Sequence, residues 1–291
     1  MLRRLRPLGL LWLALLGGLA AAQQAVPVPS LDQRAGQPLQ LPGFWFAAPT
    51  LADASALAPA LLLLHGCGGP YGVQGGLSQR MVGAAAHLNA LGIGVLVTDS
   101  LTPRGIQEIC TQTYATRQIN QVQRRRDVQG ALQWLAHQPG VDPRRLGLMG
   151  WSHGGSNVLA SINQRSPEDD QSAAQASLAI ALYPGCAAEL QRGFSSTVPL
   201  LLLVGAADDW TPAAPCQALA AQALGRRPEI ETYPGAYHGF DGATPVRVRK
   251  DVPNVVHPGQ GVHVGADPAA RAASRLRIDA FLRQQWQLAP P

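Results

Sequence analysis

Charge is scarce in this chain. Asp, Glu, Lys and Arg make up 14% of its 291 residues, against 46% hydrophobic. Long runs of one sign are scarcer still, which excludes a nucleic-acid footprint. The one short basic cluster, Arg124-Arg125-Arg126, reads as the solvated face of a helix. Histidine and cysteine never recur at metal-ligand spacing, so no metal site is expected, and His257 and His263 fall in an aperiodic stretch. No organic cofactor is implied, no internal repeat is visible, and nothing marks a second domain. No cysteine closely follows the apolar leader, which excludes a lipoprotein.

What is present begins with that leader. Arg3, Arg4 and Arg6 precede the apolar run Leu8–Leu19 and the small-residue site Ala20-Ala21-Ala22, the three parts of a secretory signal. The run is short for a membrane span, so a cleaved signal over 1–22 is expected, with an uncleaved anchor as the alternative. The remainder, 23–291, is long enough for one α/β domain with a full core. Cleavage lowers the net charge of +5 by three. The expected location is periplasmic or secreted, without stable membrane association. Four cysteines in an exported chain point to disulfides, and Cys67–Cys110 with Cys186–Cys216 are favoured because each pair joins neighbouring strand-end loops.

Residues 23–42, rich in Pro, Gln and Ala, read as an irregular lead-in. Strands are expected at 43–46, 60–64, 93–98, 146–149, 177–183, 198–204 and 229–233. Helices are expected near 77–91, 118–138, after residue 152, and over 213–224 and 269–286. Ala60-Leu-Leu-Leu-Leu64 is apolar at every position, as for a parallel strand covered on both faces. Residues 241–266 carry few periodic signals, and 166–175 read as a polar loop. The alternation predicts a mostly parallel sheet flanked by helices on both faces, with functional loops at the strands' carboxyl ends.

At the centre lies Gly150-Trp-Ser152-His-Gly154, a G-x-S-x-G turn between an apolar strand and a helical repeat. A serine hydroxyl needs a base to become nucleophilic and the base needs an acid to fix its tautomer. His238 can serve as base, and Asp208, with Asp209 as the alternative, as acid. The order Ser, Asp, His is that of α/β-hydrolases. The backbone N–H groups of His153 and Cys67 are the expected oxyanion donors. His65 and His153 suit loop-shaping roles better than that of a second base.

His65-Gly-Cys-Gly-Gly69, Asp99-Ser-Leu-Thr-Pro-Arg-Gly105, Gly150-Trp-Ser-His-Gly-Gly155, Gly205-Ala-Ala-Asp-Asp-Trp-Thr-Pro212 and Tyr237-His-Gly-Phe240 together resemble the dienelactone hydrolase family. The resemblance spans about 43–286 and implies the α/β-hydrolase fold, with Ser152 as nucleophile, Asp208 as acid, His238 as base and Cys67 in the oxyanion hole. It places Arg104 either against a substrate carboxylate or as a clamp on its own loop. Two departures go together: serine replaces the founding enzymes' cysteine, and Gly66 replaces an acidic residue that controls the thiol. A second arginine expected shortly after the histidine is missing, Gly242 standing there instead, with Arg247 and Arg249 further on. The implied activity is hydrolysis of a small-molecule carboxylic ester or lactone through an acyl-enzyme. Amide cleavage on the same fold, or a non-catalytic binding protein on a hydrolase scaffold, are the rival readings.

Overall fold

The computed structural model describes residues 23–49, 56–166 and 175–288. The leader, and most of the polar loop expected at 166–175, lie outside the described residues. Eight strands form the main sheet: β1 (Gln24–Arg34), β2 (Gln37–Phe46), β3 (Ala58–Leu64), β4 (Gly94–Thr98), β5 (Val141–Trp151), β6 (Leu178–Leu182), β7 (Leu200–Gly205) and β8 (Glu229–Tyr233). Their order is β1-β2-β4-β3-β5-β6-β7-β8. β2 runs antiparallel to both neighbours, and all later pairings are parallel.

The central strands are apolar throughout because both faces are covered. Leu61, Leu63, Val95, Val97, Met149 and Ile180 point to one face, where helices α1 (Gln79–Ala90) and α6 (Pro268–Trp286) bring Met81, Leu88, Ile278, Phe281 and Trp286. Leu62, Leu64, Leu96, Leu148, Ala181 and Leu202 point to the other. There α2 (Gln121–Ala136), α3 (His153–Ile162) and α5 (Ala213–Gln222) supply Val128, Leu132, Leu135, Val158, Leu159 and Leu219. A short helix, α4 (Ala187–Arg192), follows β6. The two-residue alternation thus divides each strand between two cores, and the expected architecture of helices on both faces is present.

One expectation is corrected. Residues 23–42 are not an irregular lead-in but β1 and most of β2, paired through a turn at Ala35 and Gly36, both at positive φ. That is the backbone of a type I′ hairpin. Pro27 and Pro29 hide the strand from inspection, yet β1 is an edge strand, where a missing donor is tolerated. The aperiodic 241–266 stretch also holds a short antiparallel pair, Arg247–Arg249 with Val262–Val264. The two expected disulfides, Cys67–Cys110 and Cys186–Cys216, are both formed. Among the described residues no helix is long and apolar enough to cross a membrane, and no group of three or more His, Cys, Asp or Glu is placed to hold a metal ion.

Candidate active site

The strand order reverses direction between β3 and β5, so the loops leaving these two strands diverge around a crevice. Residues 65–69 leave β3, and residue 152 leaves β5. Ser152 adopts φ 53° and ψ −118°, a left-handed conformation costly for a residue with a side chain, about 1–3 kcal/mol. It persists because the surroundings fix it. A Cβ at Gly150 would sit 2.4 Å from the Gly154 carbonyl oxygen, and one at Gly154 would sit 2.1 Å from the carbonyl of Leu64. Both positions exclude any side chain, so α3 presses onto β3 and β5 and the turn between them is forced. The amide of Ser152 is tied to Leu182 O at 2.9 Å.

Ser152 Oγ lies 2.9 Å from His238 Nε2, and His238 Nδ1 lies 2.9 Å from Asp208 Oδ2. His238 and Asp208 are buried, at 4% and 5% exposure, whereas Ser152 keeps a partly open face. Asp208 is held as an acceptor on every side: the amides of Trp210 and Thr211 donate to Oδ1 at 2.9 and 2.8 Å, and the imidazole shares Oδ2 with the Thr211 hydroxyl. With the carboxylate accepting, Nδ1 carries the proton and Nε2 is left to accept from the serine. Of the two candidate acids, Asp208 is the one in contact with His238. Asp209 faces away, taking the amide of His263 at 2.8 Å and its Nδ1 at 2.7 Å.

Sequence reasoning missed the walls of the imidazole pocket. The rings of Tyr183 and Trp210 each stand 4.7 Å from that of His238, Tyr183 edge-on and Trp210 tilted. The Tyr183 hydroxyl donates to Asp241, which also receives the Trp151 indole N–H and the guanidinium of Arg80. Burial pushes the Tyr183 hydroxyl well above the usual phenol range. Thr211 lies within the 205–212 motif, and its spacing of three from Asp208 is the signal for a local side-chain turn.

The 65–69 loop lies against the serine: a Cβ on Gly66 would come within 3.6 Å of Ser152 Cβ. The Cys67–Cys110 disulfide and the bond from Ile109 N–H to Cys67 O, at 2.8 Å, anchor this loop. His153 opens α3, so its N–H has no acceptor within the helix. Buried His65 donates from Nδ1 to Gly66 O at 2.7 Å and accepts the Ser100 amide at Nε2. Burial first, then the charge of Arg124, hold it well below the usual imidazole range, and the same two causes act on His153.

Arg104 is not turned toward the crevice as a free cation. Its guanidinium donates to both oxygens of Asp127 at 2.9 Å, to Asp32 at 2.8 Å and to Ser100 O at 2.7 Å, the arrangement of a loop clamp. The basic cluster is a second correction. Arg124 and Arg125 are buried, at 0% and 7% exposure, so the face expected to be solvated lies largely inside. Arg249 lies over the Trp210 ring at 5.5 Å and pairs with Asp251, whereas Arg247 is exposed.

Comparison with known proteins agrees with this architecture. A solved structure of Thermogutta terrifontis esterase 2 phosphorylated by paraoxon superposes with a TM-score of 0.61 at 16% identity, covering 94% of this chain and 97% of that one. The propionate-bound form of the same esterase gives a TM-score of 0.61 at 16% identity, covering 94% and 98%. At this identity the likeness is one of fold. The uncharacterized protein YfhR of Escherichia coli O157:H7 is 36% identical over 101 residues, a stretch covering 30% of this chain and 36% of that protein. The family model for dienelactone hydrolases matches residues 69–285, which takes in β4 to β8 and the stretches holding Ser152, Asp208 and His238, and begins at the end of the 65–69 loop. The chain therefore belongs to the dienelactone hydrolase family and has the α/β-hydrolase fold.

Proposed function

We propose that this protein is an exported serine hydrolase that cleaves carboxylic ester or lactone bonds through an acyl-enzyme on Ser152. The reading is carried by one observation: a strained serine whose Oγ is 2.9 Å from an imidazole that is itself oriented by a buried carboxylate. Oγ attacks the ester carbonyl while His238 Nε2 takes its proton. The backbone N–H groups of His153 and Cys67 receive the developing oxyanion. His238 then returns the proton to the departing alkoxide, leaving the acyl group on Ser152. Water enters, loses a proton to His238 and attacks the acyl carbonyl. The second tetrahedral intermediate then breaks its bond to Oγ, His238 returns the proton to Oγ, and the carboxylic acid leaves with the serine restored. Asp208 holds the imidazole tautomer and stabilises the imidazolium formed in both halves. The two disulfides support an oxidising compartment, and with it export. The bond cleaved is assigned from the family match.

A fluorophosphonate probe tests the reading. The wild type is expected to label and to turn over short-chain aryl esters or lactones. Ser152→Ala is expected to lose labelling and to lose on the order of 10⁴-fold or more in kcat with its fold intact by circular dichroism. Silence of the wild type toward both probe and esters would return the chain to the binding-protein reading.

A further inference from the structure

A guanidinium with no exposed surface lies beneath this crevice. Arg124, in the first turn of α2, donates from one terminal nitrogen to His153 Nδ1 at 2.8 Å and from the other to His65 O at 2.9 Å. These two acceptors belong to the two stretches that supply the proposed oxyanion donors, His153 itself and the run His65-Gly66-Cys67. Neither acceptor is a carboxylate. Asp127, one turn along the same helix, is taken by Arg104 and by the Ser30 hydroxyl. Burial pushes Arg124 down to about 10, with Asp127 and Asp99 opposing, so it stays charged at neutral pH.

A cation buried without an ion-pair partner is costly, by several kcal/mol. A brace between two loops could be made by a neutral amide at far lower cost. A charge is useful here if a negative charge forms beside it, and in the proposed cycle one does, on the carbonyl oxygen of each tetrahedral intermediate. We propose that Arg124 is the positioning residue of the oxyanion hole, fixing the His153 and Cys67 donors relative to each other and lending them positive potential from behind. The inference rests on the acyl-enzyme reading. It also accounts for His65 and His153: beside Arg124 both stay neutral, His153 accepts its N–H at Nδ1, and the carbonyl of His65 is turned inward onto the guanidinium.

The test uses the mature enzyme on p-nitrophenyl acetate, with fluorophosphonate labelling of wild-type Ser152 as a control for the underlying reading. Arg124→Met is expected to lower kcat about 100-fold with KM within threefold of wild type. Its affinity for a trifluoromethyl ketone, which forms a tetrahedral adduct on serine, should fall by the same factor as kcat/KM. Arg124→Lys keeps the charge but reaches one acceptor, and should recover part of the loss. If kcat of Arg124→Met stays within threefold of wild type, or if it falls while ketone affinity is unchanged, the inference is overturned and the acyl-enzyme reading survives. Should Arg124→Met fail to fold, Arg124→Lys decides: a tenfold loss of kcat at constant KM supports the role, and kcat within threefold removes it. A wild type that neither labels nor turns over sinks both.

Discussion

Gly154 shows how one atom decides the site. With its absent Cβ 2.1 Å from the Leu64 carbonyl, Gly154→Ala must push α3 away from β3 or distort the turn. The expected cost is about 1–3 kcal/mol, with kcat falling further than stability alone would explain, measured by thermal unfolding beside ester turnover. His65 makes a pH prediction. Its folded pKa lies below that of the unfolded chain, so the unfolded chain takes up a proton as pH falls through about 6.5 and the folded protein does not. Stability should therefore be complete above that pH and decline by about 1.4 kcal/mol per pH unit below it, until the folded pKa is reached. Denaturant titrations at pH 8, 7, 6 and 5 should show a shallower decline in His65→Gln than in wild type. An equal slope would mean that His65 is protonated in the fold. Ser152, His238 and Asp208 were legible as candidates because each proposed chemical task admits few side chains. The choice of Asp208 over Asp209 was not, since adjacent carboxylates are told apart only by what they touch.

Among the elements, the strand-end loops carry the chemistry and the disulfides hold them. Cys67–Cys110 closes 43 residues and Cys186–Cys216 closes 30, so chain entropy assigns each a similar stabilisation of about 4 kcal/mol. Their effects on turnover should differ. Cys67→Ser with Cys110→Ser frees the loop beside Ser152 and should lower both the melting temperature and kcat. Cys186→Ser with Cys216→Ser, which unties α4 from α5, should lower the melting temperature alone. Equal kcat losses in the two double variants would argue against a positioned Cys67 amide. Helices and parallel strands were readable here from periodicity and apolar runs. The β1–β2 hairpin was not, because its prolines look like strand breakers until its edge position is known.

At the scale of the molecule, the 241–266 stretch is bound to the site by Asp209, which holds His263, and by the Tyr237 ring stacked on His263 at 4.7 Å. Asp209→Ala should loosen this cover and raise KM for bulky esters more than for acetate, with kcat for acetate changed less than threefold; a uniform kcat loss would instead place Asp209 in the chemistry. The order of motifs along the chain and the alternation of strands and helices followed from the amino-acid sequence itself, since local periodicity and side-chain chemistry are properties of neighbours in the chain; the cysteine pairing was favoured there among three and formed by the fold. The fate of the charged residues did not. Arg104 sits in an ion-pair cluster, Arg124 lies wholly inside, and Asp208 meets His238 while Asp209 meets His263. Whether a charge is solvated, paired or buried depends on groups brought from distant segments, and only the tertiary structure decides which groups those are.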